Sequence, residues 1–118
     1  MSVSAEFLEF VTEQMAGFGP VSVRRMFGGA GVFRDGLMFA LIADEALYFK
    51  ADASSESAFK AEGLGPFTYQ TRHNPRTVMS YWRAPERCLD DPDEMADLCR
   101  KAYAVALKSA KPAKGSSG

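Results

Sequence analysis

Apolar residues return at helical spacing near the start of the chain. Phe7, Phe10, Val11, Met15 and Phe18 fall at i, i+3, i+4, i+8 and i+11, which predicts one amphipathic helix over residues 4–17. Glu6, Glu9 and Glu13 lie largely off that stripe, Ser4 has the chemistry of an N-cap, and Gly17, Gly19 and Pro20 stop the helix. From 21 to 50 the pattern becomes that of strands. It predicts three: one interrupted by Gly28-Gly29-Ala30-Gly31 that resumes at Val32-Phe33, one over 37–42, and one over 46–50. Asp35-Gly36 supplies a hairpin turn with positive φ at both central positions, and Asp44-Glu45 makes the next turn.

Residues 54–62 read as a short helix capped by Ser54 or Ser55, with Gly63 just past its end. Residues 67–72 and 77–82 form a second hairpin around His73-Asn74-Pro75-Arg76. Asp91-Pro92-Asp93-Glu94 opens the last helix: Asp91 caps, Pro92 takes the first helical position and Glu94 completes a capping box. Met95, Leu98, Cys99, Ala102, Val105 and Ala106 are its buried stripe. Arg100, Lys101 and Lys108 follow the acids, as the helix dipole favours. Residues 111–118 read as a polar tail expected to be disordered, which leaves one domain over 1–110. The order is α-β-β-β-α-β-β-α. Hairpin connections make the five-stranded sheet antiparallel, and helices on one face give a two-layer α+β sandwich.

A chain of 118 residues with 47% hydrophobic positions is one domain's worth of sequence with enough apolar bulk for a core. The net charge of -1 excludes a globally basic nucleic-acid binder but leaves room for a local patch. No apolar run approaches the roughly 18–20 residues of a membrane span. The first residues lack the basic region of a secretory signal. Two cysteines, not spaced as C-x-x-C, point to a reducing compartment, hence the cytoplasm.

Catalytic chemistry finds little support. The glycine run is neither a dinucleotide fingerprint nor a Walker loop, because Arg34 and another strand follow it. A bulge or a close backbone approach explains it better. His73 has no Cys or second His nearby to complete a metal site. Cys99 lies on an apolar stripe, and Glu86, Asp90 and Asp91 near Cys88 raise its pKa instead of activating it. Asp44-Glu45 and Asp90-Asp91 are turn and cap residues, and Ser80 has no nucleophile elbow around it. No catalytic residue, metal or cofactor is expected.

Charge is segregated along the chain. Residues 63–85 contain no acid but carry Arg72, His73, Arg76 and Arg83, interleaved with Phe67, Tyr69, Tyr81 and Trp82. Such a hairpin can bind single-stranded nucleic acid. Alternatively, the aromatics fill the core and the arginines neighbour the acidic start of the last helix. Arg24 and Arg25 are adjacent on a strand and point to opposite faces, so one is expected to meet the helix layer, buried and paired. The strand over 37–42 is apolar on both faces, with Leu37, Phe39 and Leu41 on one and Met38, Ala40 and Ile42 on the other. Three helices do not cover both faces of such a sheet, and an uncovered apolar face marks a contact surface for a second copy or another protein.

Several strings together resemble a known family. They are Arg24-Arg25-Met26-Phe27-Gly28-Gly29, Asp35-Gly36 with Met38-Phe39-Ala40-Leu41-Ile42-Ala43-Asp44, and Leu47-Tyr48 with Lys50-Ala51-Asp52. Pro66-Phe67-Thr68-Tyr69, Met79-Ser80-Tyr81-Trp82 and Leu89-Asp90-Asp91-Pro92-Asp93-Glu94 continue the likeness. Over residues 6–108 the chain resembles the N-terminal domain of the TfoX/Sxy family. The resemblance implies a type III secretion chaperone-like fold and a role in natural competence. Family members act as co-activators with the cyclic-AMP receptor protein at promoters of DNA-uptake genes, and no catalytic residues come with the family. Full-length members continue into a second, helical domain, so a stand-alone copy is expected here. The first functional expectation is therefore a non-enzymatic regulatory domain working through protein contact with the transcription machinery. The alternative is direct nucleic-acid binding through Arg72, Arg76 and Arg83, with Arg24 or Arg25 and Lys50 assisting. A ligand carrier would instead need a deep polar pocket beneath residues 28–31.

Overall fold

The first stripe folds as α1 (Ala5–Gln14), followed by one 3-10 turn at Met15–Gly17. The computed structural model describes residues 4–26, 28–70 and 72–117, the side chains of 70 and 111–117 excepted. Ser4 Oγ accepts the Phe7 N–H at 3.1 Å, the expected cap. Val11 and Met15 are fully buried, with Phe7, Leu8 and Phe18 packed beside them. Phe10 departs from the expected stripe and is 41% exposed. At about 100° per residue the buried arc runs from Phe7 to Leu8, which places Phe10 beyond its edge.

The interrupted first strand is two strands, β1 (Ser22–Met26) and β2 (Gly29–Arg34), paired antiparallel. The chain reverses at Gly28, whose φ of 78° is open to glycine at little cost. Phe27 lies outside the described residues. β3 (Leu37–Ala43), β4 (Ala46–Lys50), β5 (Pro66–Gln70) and β6 (Pro75–Arg83) complete a six-stranded antiparallel sheet in the order β1-β2-β3-β4-β6-β5. Asp35 and Gly36 form the expected left-handed pair at 50° and 82°, and the expected turn at Asp44-Glu45 proves to be a second such pair at 55° and 59°. Glu45 also fastens the chain start, because its carboxylate accepts the Ser4 N–H at 3.1 Å.

Between β4 and β5 lies α2 (Glu56–Ala61). Its entry turn is organised by Asp52. The Asp52 carboxylate accepts from the Ser54 hydroxyl at 2.8 Å and from the N–H groups of Ser54 and Ser55 at 3.1 Å. The Ser54 hydroxyl and the Lys108 ammonium, 3.2 Å away, hold this carboxyl well below the usual range. No residue of α2 is buried. Arg87, in a 3-10 turn at Glu86–Leu89, straps α2 down by meeting Glu62 at 2.6 Å and Glu94 at 2.8 Å.

The last helix, α3 (Pro92–Ser117), starts as expected, with Asp91 Oδ1 accepting the N–H groups of Asp93 and Glu94 at 3.0 and 3.2 Å. The Glu94 carboxylate turns to Arg87, so the reciprocal half of the box is used elsewhere. The helix continues through Ser117, past residue 110, where the sequence predicts a polar tail. Met95, Cys99, Ala102 and Ala106 bury against the sheet, α3 lying over β3 and β4. The α1 segment and its 3-10 turn join α3 on that same face, giving the two-layer α+β arrangement.

Register decides which side chains reach the core. Val32 stands opposite Ala40, but Phe33 stands opposite Met38, which leaves Phe39 as the extra residue of a β-bulge. Leu37, Phe39, Ala40 and Ile42 therefore all belong to the helix-side core. Met38 and Leu41 share the other face. The strict alternation expected for this strand separates Leu37 and Phe39 from Ala40 and Ile42, which share their face, and groups with them Leu41, which does not.

Candidate functional site

The uncovered face of the sheet is built by register. Arg24 stands opposite Gly31, Gly31 opposite Leu41, Leu41 opposite Tyr48, and Tyr48 opposite Arg83. Directly paired residues share a face, so these five form one row across five strands on the side away from the helices. The neighbouring row, Val23-Val32-Ala40-Phe49-Trp82, faces the helices and is apolar throughout. At about 4.8 Å per strand, Arg24 and Arg83 end the outer row roughly 19 Å apart along the sheet.

Three cations on this face lie beside rings. The Arg24 guanidinium is 5.2 Å from the Phe33 centroid, the Lys50 ammonium 5.1 Å from Tyr81, and the Arg83 guanidinium 5.9 Å from Tyr48. Tyr48 meets Phe67 edge-on at 5.0 Å, and Phe67 stacks on Tyr69 at 5.7 Å. Arg76 stands opposite Tyr69 in register. A continuous aromatic strip thus runs between Arg83 and Arg76, ending at a Tyr69 ring that is 46% exposed. Beside it is an open concavity of about 450 Å³ with Met26, Met38, Leu41, Val78 and Tyr81 in its walls. Burial pushes the Tyr81 phenol up to about 12, so it stays neutral, donating to the Met38 carbonyl at 3.4 Å. The concavity reaches Gly29, but its lining is apolar and open, which does not fit a polar ligand pocket beneath the glycine run.

The structure brings Arg24, Lys50, Arg76 and Arg83 to one face. Arg25, opposite Ala30, falls on the helix side of edge strand β1. Arg72 and His73 are exposed in the β5–β6 connection. The expected buried guanidinium is corrected: Arg24 and Arg25 are both exposed, because β1 extends past the helices, and no charged side chain is buried among the described residues. The cation that meets the helix layer is Arg34, which donates to the Phe18 carbonyl at 2.8 Å and covers the Phe18 ring at 4.5 Å. The arginine that neighbours the acidic helix start is Arg87, not one from the hairpin. Trp82 alone of the hairpin aromatics packs under α2, 6.3 Å from Phe59. Sequence reasoning missed Phe33 and Tyr48, and only the summed register of four strand pairs identifies them.

Among the described residues no group of three His, Cys, Asp or Glu could hold a metal ion, and no helix is long and apolar enough to cross a membrane. Both cysteines are buried. Burial, with Glu94 close by, pushes the Cys88 thiol up to about 11, and burial pushes Cys99 up to about 12. The folded protein is therefore expected to resist iodoacetamide at pH 8 and to label at both thiols once unfolded in guanidinium. Rapid labelling of the folded protein would contradict the burial. The folded thiols titrate above the unfolded value of about 8.5, so the folded state binds more protons and stability falls as pH rises past that value.

Comparison with known proteins places these features in a family. The TfoX N-terminal domain matches residues 13–106. DNA transformation protein TfoX1 of Aliivibrio fischeri (strain ATCC 700601 / ES114) is 27% identical over 96 residues, covering 81% of this chain and 44% of that protein. The chain therefore spans less than half the length of this relative. With most of its length matched, and with the antiparallel sheet and three helices described above, the chain belongs to the TfoX N-terminal domain family.

Proposed function

We propose that this domain regulates DNA transformation by contact, without catalysis, and that the helix-free sheet face is its working surface. The supporting observation is the concave, apolar and aromatic face that the domain's own helices leave uncovered. Uncovered apolar area of this kind is retained where a partner fills it. The ion pairs of Arg87 with Glu62 and Glu94, and of Lys108 with Asp52, tie helices to loops. The relative's role in DNA transformation supports the process, and the role proposed within it is that of a cytoplasmic co-activator or adaptor. The partner is the cyclic-AMP receptor protein or another part of the transcription machinery assembled at a promoter.

The test is capture of purified cyclic-AMP receptor protein on the immobilised chain, with and without DNA carrying its promoter site. Leu41→Asp puts a charge in the centre of the face without touching the helix-side core. Capture by the parent chain and its loss in Leu41→Asp is the expected result. Equal capture by both would remove the sheet face from the reading.

A further inference from the structure

We infer that the helix-free face binds single-stranded nucleic acid, with phosphates at Arg24, Lys50, Arg76 and Arg83 and bases over the Tyr48-Phe67-Tyr69 strip. The inference rests on the reading of that face as the working surface and names the component of a promoter assembly that touches it.

Charge complementarity is the first support. Every ion pair among the described residues lies away from this face: Arg87 with Glu62 and Glu94, Asp97 with Arg100 and Lys101, Lys108 with Asp52. Arg24, Lys50 and Arg83 lie beside rings and make no ion pair among the described residues, Glu86 sharing the hollows next to Arg83 without closing on it. No acid among the described residues lines the apolar concavity. The acid-free stretch 63–85 supplies both strands of the β5–β6 end of the face. The surface is thus locally cationic in a chain with a net charge of -1, and it calls for an anion.

The alternation of cations with rings identifies which anion. An acidic peptide would meet the four cations but has no flat groups to use the aromatic strip. A duplex presents its phosphates outward with bases already stacked, so the strip would meet nothing. A single strand offers both parts, a charged backbone and free base faces. Sheet faces that stack bases on aromatic side chains, with cations around them, are an established solution to this problem. The 19 Å row, estimated from strand spacing, matches the scale of a few nucleotides, the lower end of the roughly 4–16 that such platforms hold.

Fluorescence anisotropy of the full chain with fluorescein-labelled dT15 tests the inference, titrated at several salt concentrations. With three or four phosphates engaged, log K is expected to fall with log salt at a slope of roughly -2 to -3. Tyr69→Ala removes an exposed ring and is expected to weaken binding about 5- to 100-fold while leaving the salt slope unchanged. Arg83→Gln is expected to flatten the slope by about 0.7. Arg100→Gln, on the far side of the molecule, serves as the control and leaves both quantities unchanged. All three positions are exposed, and circular dichroism checks that each variant folds. A rU15 arm distinguishes RNA from DNA as the strand. Absence of binding at low salt, binding indifferent to Tyr69 and Arg83, a 15-base-pair duplex binding as tightly as dT15, or displacement of dT15 by an equal concentration of polyglutamate of the same length would each overturn the inference. If dT15 fails while Leu41→Asp still abolishes protein capture, the inference falls and the proposed function stands. If dT15 binds as expected and Leu41→Asp leaves protein capture intact, the protein-contact reading falls instead.

Discussion

Replacing Phe39 with Ala is expected to cost about 3–5 kcal/mol of folding stability. The ring is fully buried and sits 5.2 Å from Phe18 and 6.2 Å from Tyr103. Arg34 closes this trio from above, lying 4.5 Å over Phe18 and 5.9 Å from Tyr103. Because Arg34 is also bonded to the Phe18 carbonyl, the neighbours are held in place and collapse poorly into the space left behind. A site that cannot collapse pays for the cavity as well as for the lost transfer energy. The measurement is urea unfolding, read as a drop in midpoint at unchanged slope. Against a total stability of about 5–15 kcal/mol, such a loss leaves a marginal domain. A change below about 1 kcal/mol would mean that Leu37 and Ala40 repack into the gap and that the bulge is not a fixed feature.

The second large effect is expected at Gly29. A Cβ there would lie 2.6 Å from the Ile42 carbonyl oxygen, which is backbone in the middle of the sheet and has nowhere to move. Gly29→Val is expected to cost about 3 kcal/mol, the upper part of the overpacking range. Gly31 makes the informative contrast. Its Cβ would meet Met38 Sδ at 2.9 Å, Phe33 Cε1 at 2.9 Å and Met26 Cε at 3.0 Å, and these are ends of side chains. Gly31→Ala should therefore shift the thermal midpoint by less than Gly29→Ala does. A reversed order would place the tight approach at the other glycine.

Local chemistry was legible from residues alone. Ser4 and Asp91 cap their helices because short polar side chains satisfy the free N–H groups there. Asp35-Gly36 and Asp44-Glu45 turn because the hairpin requires left-handed pairs. What was not legible depends on partners distant in the chain. Four residues rich in glycine serve equally as a bulge or as a reversal, and only the pairing of Arg25 with Ala30 reveals the reversal. Phe39 carries no local mark of a bulge, so the faces of β3 were assigned by an alternation that slips by one residue. Arg24, Arg25 and Arg34 are chemically alike, and their fates follow from whether the strand beneath them lies under a helix or at the sheet edge. Trp82 and Tyr81 are neighbours in one string of aromatics, yet one packs under α2 and the other faces the concavity. The family resemblance agreed with the α+β fold. The sequence already nominates Arg72, Arg76 and Arg83 with Arg24 or Arg25 and Lys50; the register selects Arg24, Lys50, Arg76 and Arg83 from that set for one face.

The attachment of α2 has a consequence for how the domain comes apart. α2 is six residues long with no fully buried side chain, and its apolar hold is one partly buried ring, Phe59 against the core and Trp82, far less than the stripe that anchors α3. Arg87, bridging Glu62 and Glu94, is exposed to water, and so are its partners to differing degrees. Attachments of that kind weaken as ionic strength rises, whereas the packing of α3 on the sheet does not. The α2 segment therefore opens independently of the rest, as a small cooperative unit at the bottom of the protein's ladder of local stabilities. Its amide protons should trade with solvent well before those of the central strands, and concentrated salt should accelerate that exchange selectively.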